Sequence, residues 1–337
     1  MQLSDFDYSL PKKFIAQKPL EKRDQSKLMV LNRKKKLISH HQFFELPDLL
    51  DKNTILVFNE SKVIPARLKF KIGEGKAEIL LIKSISENIW ECMVKPGPKF
   101  IPQSYIKIDS ELSCNIESIT PNGLRIIKFH CDNFKEYLKK HGHTPLPPYI
   151  KEDIDNPDKY QTIYAKNEGS VAAPTAGFHF TDNLFNRLKE KGIQKEFINL
   201  HVGMGTFQPV KTDKIEDHKM HSEFFELSED TTKRLNEAKN NGKKIIAVGT
   251  TSIRVLESCS NEKGELIAKT GETDIFIYPG YKWKYIDGII TNFHVPKSTL
   301  LMLISSFASR EFILNAYEEA KLKNYRFFSF GDSMLII

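Results

Sequence analysis

The stretch that decides the fold is Lys244-Ile245-Ile246-Ala247-Val248-Gly249-Thr250-Thr251-Ser252. Its apolar run is typical of a buried strand, and a glycine-led polar turn follows that strand directly. Just upstream, residues 228–241 predict a helix with Ser228 as its N-cap and Gly242 as its stop. A helix, a strand and a polar turn in this order predict an α/β domain, in which ligands bind where the parallel strands end.

The same alternation of helix and strand occurs earlier in the chain. Residues 182–191 predict a helix between the cap Thr181 and the stop Gly192. Residues 193–201 then predict a strand. The α/β pattern therefore extends over much of the second half of the sequence.

The pattern changes between residues 68 and 148. Short alternating strands and turns rich in glycine and proline dominate this segment, which is typical of a small antiparallel β-barrel or sandwich. We therefore predict an α/β main domain with a mixed or barrel-like sheet, formed by residues 1–67 and 149–337. A small antiparallel β-barrel at residues 68–148 is predicted to interrupt it.

The composition is that of a folded protein with a moderate positive charge. The chain has 337 residues, of which 40% are hydrophobic and 11% aromatic, so wholesale disorder is excluded. The formal charge of +7 is compatible with an anionic partner but does not identify one. No run of eighteen apolar residues occurs and the N-terminus has no secretory pattern, so we expect a cytoplasmic protein.

Residues 12–36 contain ten basic and two acidic side chains. Such a cluster could contact nucleic acid. Its last part, residues 32–36, lies between the apolar runs 28–31 and 37–38, which is also the pattern of a hairpin with solvated charges in its turn. The sequence leaves both interpretations open.

The cysteines and histidines do not form a metal-binding pattern. Cys92, Cys114, Cys131 and Cys259 are widely spaced, with no C-x-x-C pair, so we interpret them as buried thiols. Residues 218–223 include two histidines, but they lack the H-E-x-x-H register and a nearby third ligand. We predict no metal site.

Residues 172–181 combine small side chains, a proline, a hydroxyl and a histidine just before a helix. Small residues let a ligand approach the backbone, and the N–H groups at a helix start attract anions. The candidate residues here are Pro174, Thr175, Ala176, Gly177 and His179. The alternative is a capped turn in which His179 is simply packed.

Two further turns carry glycine. Gly203 and Gly205 lack the third glycine of a dinucleotide fingerprint, and no clear helix follows them, so a nucleotide-binding interpretation is weak. Gly249 and the two threonines after it are better placed, because they follow an apolar strand. Such turns also close ordinary strands, so a structural role stays open.

Polar residues follow two more segments. Asn292, His294 and Lys297 come after an apolar strand and combine a donor, a proton carrier and a cation, although the Ser-Thr pair behind them could merely cap the next helix. Asp332 follows the aromatic run 325–330, which we predict to be a strand. Its carboxylate could hold a ribose hydroxyl or simply fix the turn.

Taken together, these segments resemble the S-adenosylmethionine:tRNA ribosyltransferase-isomerase family of queuosine biosynthesis. The resemblance runs from Asp5 to Met334, and its most specific blocks are residues 169–181, 200–210, 218–223, 248–258, 277–281 and 291–303. The departures are Lys27, Lys62 and Lys297, where the family often has arginine, and Phe330, where it often has tyrosine. Lysine cannot form the bidentate contacts of arginine.

The resemblance implies a fold and a reaction. The fold is a main α/β domain interrupted by a small β-barrel. In the reaction, S-adenosylmethionine is a co-substrate that gives its ribosyl part to 7-aminomethyl-7-deazaguanine at the wobble position of a tRNA. Adenine and methionine leave, and the transferred ribose is isomerised to give epoxyqueuosine. The resemblance also implies no permanently bound cofactor, no membrane partner and a monomer.

Such a reaction needs a base and an acid, and the resemblance suggests residues for these and other roles. The catalytic candidates, with no role yet assigned, are His179, His201, His221, His294 and Asp332. The candidates for binding the co-substrate are Pro174, Thr175, Ala176, Gly177, Gly203, Gly205, Thr206, Gly249, Thr250, Thr251 and Asn292. The candidates for contacting tRNA or another anion are Arg67, Arg254 and Lys297, with structural ion pairs as the alternative.

Two other classes of function stay open. A non-catalytic RNA-binding protein with the same fold would bind tRNA in a salt-dependent way but release no adenine. An ordinary methyltransferase would use the same co-substrate and release S-adenosylhomocysteine instead.

Overall fold

The computed structural model describes residues 1–152, 156–203, 205 and 210–337. The chain forms two compact units. The first unit comprises Met1–Ser61, Pro148–Asn167 and Ala173–Ile337, and the second comprises Lys62–Pro147 and Glu168–Ala172.

The strands within the described residues are β1 (Lys27–Asn32), β2 (Leu37–Gln42), β3 (Thr54–Asn59), β4 (Ser61–Val63), β5 (Arg67–Ile72), β6 (Gly75–Ser86), β7 (Ile89–Lys95), β8 (Tyr105–Lys107), β9 (Ser113–Ile119), β10 (Arg125–His130), β11 (Asn167–Ser170), β12 (Gln194–Leu200), β13 (Glu223–Leu227), β14 (Lys244–Val248), β15 (Lys269–Thr273), β16 (Gly288–Asn292) and β17 (Ser333–Ile336). The α-helices are α1 (Leu46–Leu49), α2 (Phe134–His141), α3 (Asp182–Glu190), α4 (Glu229–Asn240), α5 (Thr250–Cys259), α6 (Thr299–Ala308) and α7 (Arg310–Leu322).

The first unit is built on a nine-stranded mixed sheet in the order β15-β13-β12-β3-β14-β16-β17-β1-β2. Four neighbours, β12, β3, β14 and β16, run parallel. Their last residues, Leu200, Asn59, Val248 and Asn292, therefore lie at one edge, which we call the carboxyl edge. The prediction of an α/β unit with a mixed sheet is confirmed.

Two more strands begin at the carboxyl edge. β17 is antiparallel to β16, and its first residue Ser333 pairs with Asn292. β1 is parallel to β17, with Leu28 opposite Ser333, so the chain enters β1 from this edge. β1 and β2 form the predicted hairpin, and its turn at residues 33–36 lies at the opposite edge of the sheet.

The predicted helices that surround the site are confirmed with their caps. The Thr181 hydroxyl accepts the N–H of Leu184 at the start of α3, and the Ser228 hydroxyl accepts the N–H of Thr231 at the start of α4. Each such cap stabilises its helix by about 1 kcal/mol. A further helix, α5, follows β14 and begins at Thr250.

Aromatic packing under the carboxyl edge holds the sheet and α3 together. The fully buried ring of Phe58 lies 4.8 Å from the Phe180 ring centroid and 5.4 Å from that of Phe185. Its centroid lies 5.0 Å from the Tyr164 ring. A side chain of this kind stabilises the fold by about 1.5–3 kcal/mol through burial alone.

The prediction of a strand at residues 325–330 is wrong. The chain folds back on itself there, since the N–H of Asp332 donates to the carbonyl of Arg326 at 2.8 Å. Phe328 has a φ of 72°, which extended strand backbone does not allow. The aromatic side chains pack inward, as Phe327 does against Phe293 at 4.9 Å, and the strand begins only at Ser333.

The second unit contains a six-stranded antiparallel sheet in the order β5-β6-β7-β10-β9-β8. Register shifts along the β6–β7 pair bend the sheet. Phe134 at the start of α2 stacks on Phe129 of β10 at 4.3 Å. The predicted antiparallel β-structure is present, but β5 and β8 are the two ends of the strand order, so a closed barrel stays a prediction.

Among the described residues, no helix is long and apolar enough to cross a membrane. The thiols of Cys92, Cys114 and Cys259 are buried and that of Cys131 is half-buried, and all four are free.

Candidate active site

The turn after β14 lies at the carboxyl edge and leaves the start of α5 open. Gly249 is the N-cap residue of α5, with a φ of 87°, and as glycine it has no side chain to cap the first N–H groups of the helix. A Cβ at Gly249 would lie 3.5 Å from the hydroxyl of Thr251 and 3.6 Å from Ala176. The Thr251 hydroxyl is buried without a hydrogen-bond partner among the described residues. Free helix N–H groups beside a buried hydroxyl can receive an anion or a polar group of a ligand.

His179 and Asn292 meet at the same edge. The Asn292 amide nitrogen lies 3.1 Å from His179 Nε2, and the Thr175 hydroxyl donates to the Asn292 Oδ1 at 3.1 Å. The Ser26 hydroxyl lies 2.7 Å from His179 Nδ1. An amide N–H on Nε2 requires that Nδ1 carry the ring proton and donate it to Ser26. The histidine therefore holds Asn292 in one orientation.

His179 is neutral in the folded protein. Burial, together with the nearby positive charges of Arg23 and Arg326, lowers the pKa of His179 to about 3. A group with such a low pKa does not carry a proton near neutral pH. His179 is thus a packed hydrogen-bonding residue, as in the alternative interpretation of this segment.

Close packing around Gly177 leaves no room for a side chain at this position. A Cβ at this position would stand 1.9 Å from the hydroxyl of Tyr164 and 2.8 Å from a methyl group of Thr162. Gly177 lies in the 3-10 helix Thr175–His179, which starts after Pro174. Its missing side chain therefore makes room for Tyr164.

A second polar cluster surrounds Glu223, the first residue of β13. His221 Nε2 lies 3.3 Å from Glu223 Oε1, and the N–H of Gly203 donates to the same oxygen at 2.8 Å. Arg254 from α5 pairs with the other oxygen, Oε2. Burial would raise the pKa of Glu223, but Arg254, with His221 and the Gly203 N–H, lowers it on balance. This cluster places a fixed negative charge beside an imidazole.

The imidazole of His221 stays accessible while its carboxylate partner is buried. The side chain of His221 is 29% exposed and that of Glu223 only 2%. Gly205 lies against the ring, since a Cβ there would stand 2.4 Å from His221 Nδ1. Thus the two glycines at 203 and 205 both contact this cluster, one through its N–H and the other through its missing side chain.

His201 follows β12 at the carboxyl edge. Its Nε2 lies 3.3 Å from the amide nitrogen of Asn199, and its ring lies 5.3 Å from that of Phe224. Burial lowers the pKa of His201, although the charge of Glu226 partly opposes this. His201 is therefore mostly neutral near pH 7.

His294 is fully enclosed. Its Nε2 lies 2.9 Å from the Thr291 hydroxyl, its backbone N–H donates to Tyr317, and its carbonyl accepts from Tyr8. Burial lowers the pKa of His294 to about 3. As with His179, these contacts are typical of a packed histidine.

Both oxygens of the Asp332 carboxylate are engaged by backbone. Oδ1 accepts the N–H of Lys27 at 2.9 Å, and Oδ2 accepts the N–H of Arg326 at 2.7 Å. Burial raises the pKa of Asp332 despite these hydrogen bonds. This geometry is that of the alternative in which Asp332 fixes the turn before β17.

A family profile described as "Queuosine biosynthesis protein" matches residues 3–336. The chain belongs to this family. An S-adenosylmethionine:tRNA ribosyltransferase-isomerase of Halothermothrix orenii is 51% identical over 341 residues, covering 100% of both chains. The enzyme of the same name from Finegoldia magna is 49% identical over 340 residues, which cover 100% of this chain and 98% of that protein. The predictions of this family and of an enzyme are confirmed.

The family is also represented among solved structures. The crystal structure of S-adenosylmethionine tRNA ribosyltransferase from Thermotoga maritima matches with a TM-score of 0.58 at 39% identity. The match covers 99% of this chain and 100% of that one. The chain therefore shares both sequence and fold with that family member over its whole length.

The three cations chosen as anion-binding candidates each have a carboxylate partner. Arg254 is buried against Glu223, and Arg67 Nε lies 3.4 Å from Glu78 in the second unit. Lys297 pairs with Asp7 at 2.8 Å, with both side chains about half exposed. The buried position of Arg254 corresponds to a structural ion pair, whereas Lys297 is open to a larger partner.

Glu223 is a functional candidate that was not predicted from the sequence. The available signal was its place in the block 218–223, two residues after His221. Thr206 lies outside the described residues. Among the residues that are described, no group of three or more metal-ligating side chains occurs.

Proposed function

We propose that the chain is an S-adenosylmethionine:tRNA ribosyltransferase-isomerase. It moves the ribosyl part of S-adenosylmethionine onto the aminomethyl group of 7-aminomethyl-7-deazaguanine at the tRNA wobble position. Adenine and methionine leave, and the ribose carbons rearrange into the epoxide of epoxyqueuosine. The observation that supports this most strongly is the 51% identity, over the full length of both chains, with a relative of that name.

The reaction needs proton transfers at two points. The sulfonium of S-adenosylmethionine acidifies the C5′ protons, so a base there can form an ylide, and loss of adenine then opens the ribose. The departing adenine is best protonated, and the acceptor amine must be neutral to attack. A positioned side chain that takes or gives a proton contributes about 10²–10⁴-fold to such steps.

We assign the proton transfer at C5′ to His221. Among the four candidate histidines, His179 and His294 are buried, and with a pKa of about 3 each is too weak a base for this step. Burial also lowers the pKa of His201, whose Nε2 faces Asn199 and not a carboxylate. His221 is accessible, adjoins a carboxylate and lies against Gly205. These features match the requirements of a base that must reach a substrate.

The turn at Gly249 and the start of α5 would hold the co-substrate. Its uncapped N–H groups suit the carboxylate of the methionyl part, and the Thr251 hydroxyl adds a donor. The side chain of Asn292 is oriented by His179 and lies at the end of β16, which is separated from β3 by β14. This side chain would bind the ribose. Pro174, Thr175 and Ala176 would form part of the wall of this site.

The tRNA would approach the carboxyl edge along the segment that leads into β1. Lys12, Lys13 and Lys22 are exposed on that segment. The guanidinium of Arg33 instead packs over the ring of Phe307 within the protein, at 3.6 Å from the ring centroid. The hairpin turn at residues 33–36 lies at the opposite edge of the sheet. Lysines that contact phosphate give salt-dependent affinity.

We further propose that the protein acts in the cytoplasm as a monomer without a permanently bound cofactor.

Product analysis tests this function. The purified protein is incubated with S-adenosylmethionine and a tRNA that carries 7-aminomethyl-7-deazaguanine, and free adenine, methionine and the nucleoside mass are followed. The proposal predicts one adenine and one methionine for each epoxide-bearing nucleoside. S-adenosylhomocysteine as the product would indicate a methyltransferase, and tRNA binding without turnover would indicate a binding protein.

A further inference from the structure

Glu223 is a buried carboxylate, and three donors from the described part of the chain converge on it. Alternation along β13 turns the side chain of Glu223 inward, where it is 2% exposed, and turns Phe224 outward. Oε1 faces the N–H of Gly203 at 2.8 Å and Nε2 of His221 at 3.3 Å, while Oε2 faces Arg254. The carboxylate therefore links the glycine loop, the accessible histidine and α5.

The position of this carboxylate is fixed from behind. Arg254 donates one N–H group to Glu223 and another to the carbonyl of Thr273 at 3.0 Å, so its guanidinium cannot turn away. Replacing a buried ion pair of this kind by apolar side chains is often neutral or even stabilising. Stability alone is thus a weak reason for this pair, and its contact with His221 points to a role in the site.

We propose that Glu223 is the residue that positions His221, accepting a hydrogen bond from its Nε2–H and so leaving Nδ1 as the atom that exchanges the proton. The inference rests on the proposed function, in which His221 acts at C5′ of the co-substrate. In that step the C5′–H bond breaks, its electron pair stays on carbon as the ylide, and the proton forms a bond to Nδ1. Nε2 keeps its own proton, and the positive charge of the ring is balanced by Glu223.

Gly205 supports the positioning of the ring. A Cβ there would stand 2.4 Å from Nδ1 and from Cγ of His221, and 2.6 Å from Cδ2. These similar distances place position 205 over the face of the ring, so only glycine lets the loop backbone lie against that face. The carboxylate therefore holds the ring at Nε2, and the loop holds it from one face.

The kinetic test compares Glu223→Gln, His221→Gln and the double variant, with adenine release as the readout. We expect Glu223→Gln to lower kcat by about 10–100-fold, with the KM values for both substrates within about threefold of wild type. We expect the double variant to be no slower than His221→Gln alone, because the two residues act as a unit. Multiplying effects, or a raised KM at unchanged kcat, would overturn the proposal.

A matched control and a second variant separate positioning from folding. Glu272→Gln makes the same chemical change on the neighbouring strand, where Glu272 accepts from the Ser222 hydroxyl at 2.8 Å, and should leave kcat within about twofold of wild type. Because Glu223→Gln leaves Arg254 buried without its partner, Glu223→Gln combined with Arg254→Met removes both charges. This pair should lose as much kcat as Glu223→Gln, and recovery of wild-type kcat would contradict the proposal.

A measurement without turnover distinguishes this inference from the proposed function. In ¹⁵N NMR of histidine-labelled protein, we expect His221 Nδ1 to have the chemical shift of an unprotonated nitrogen at pH 8. That resonance should move in Glu223→Gln and stay unchanged in Glu272→Gln. An Nδ1 resonance insensitive to Glu223→Gln would overturn the positioning role, whereas absence of adenine release by the wild type would overturn only the proposed function.

Discussion

Two histidines of the first unit are held in opposite ways. His179 lies between the neutral partners Ser26 and Asn292, fully enclosed, and burial with two nearby arginines lowers its pKa to about 3. His221 lies beside the ionised Glu223, with its ring 29% exposed. Both occur in signature blocks of the family, yet the enclosed one orients an amide, and the accessible one has the surroundings of a proton carrier.

The difference teaches that environment, and not residue type, assigns the role. Burial among uncharged partners, away from solvent, strongly disfavours the protonated form of a histidine. Such a histidine can therefore only donate or accept a fixed hydrogen bond. A carboxylate partner together with access for a ligand permits the ring to gain and lose a proton.

The largest effect is expected for His221→Gln. Loss of the proton carrier should lower kcat for adenine release by about 10²–10⁴-fold while the protein stays folded. Single-turnover kinetics with modified tRNA provide the measurement. His130→Gln is the control, since His130 is an exposed histidine that contacts Asn115 at 2.7 Å in the second unit. A His221→Gln rate near that of the control would remove His221 from the mechanism.

Gly205→Ala should have the next largest effect. The added Cβ would stand 2.4 Å from the His221 ring, which must therefore leave its present position beside Glu223. Misplacing a catalytic group by about 1 Å can cost about 10²-fold in rate, and we expect kcat to fall by about 10–100-fold.

Gly271→Ala is its matched control. A Cβ at Gly271 on β15 would meet only the Lys269 side chain, at an ordinary 3.8 Å. Its kcat should stay within about twofold of wild type. Equal rates for Gly205→Ala and Gly271→Ala would show that the loop does not position the ring.

The enclosed histidines should appear in the pH dependence of stability. The pKa values of His179 and His294 are about 3 in the folded protein against 6.5 for an unperturbed histidine. Between these values the unfolded chain binds protons that the native protein does not, so stability falls as the pH is lowered. Each histidine should contribute a slope of about 1.4 kcal/mol per pH unit below pH 6.5.

Urea unfolding between pH 6.5 and pH 4.5 measures this slope. His294→Asn should reduce it by about 1.4 kcal/mol per pH unit relative to wild type, although the variant is less stable at pH 7. Parallel curves for wild type and variant would contradict the neutral, enclosed state of His294.

The smallest effect on stability is expected for Lys297→Met. The Lys297–Asp7 pair is about half exposed, so its loss should cost less than about 1 kcal/mol. If Lys297 also contacts a tRNA phosphate, KM for tRNA should rise by a few fold at low salt and the difference should shrink at high salt. A KM equal to that of wild type at low salt would leave Lys297 with only its contact to Asp7.

The sequence predicts the elements around the site well, because local signals are strong there. Thr181 and Ser228 cap their helices, and the apolar run before Gly249 is a central strand. The prediction of a strand at residues 325–330 was wrong because aromatic residues generally favour strands. In this segment Phe327 instead packs against Phe293 and Tyr317, where the chain folds back. The boundaries of an inserted domain at residues 68–148 stay a prediction.

The site itself is only partly readable from the sequence. The blocks containing His179, His201, His221 and His294 identify the family, but burial and partners decide what each ring can do. Arg254 illustrates the limit, since an arginine in a signature block could bind phosphate or pair with Glu223, and only the fold reveals the pairing. The importance of Glu223 depends on Arg254 and Gly203, which lie far from it in sequence.

The role we propose for the accessible His221, held by the carboxylate of Glu223, is in adenine-releasing chemistry on S-adenosylmethionine. Its most direct test is single-turnover release of adenine with tRNA carrying 7-aminomethyl-7-deazaguanine, compared among wild type, His221→Gln and His179→Gln at pH 7.5. The account predicts adenine release by wild type, a loss of about 10²-fold or more in His221→Gln, and a much smaller loss per folded molecule in His179→Gln. Normal release by His221→Gln, or S-adenosylhomocysteine as the product of the wild type, would contradict it.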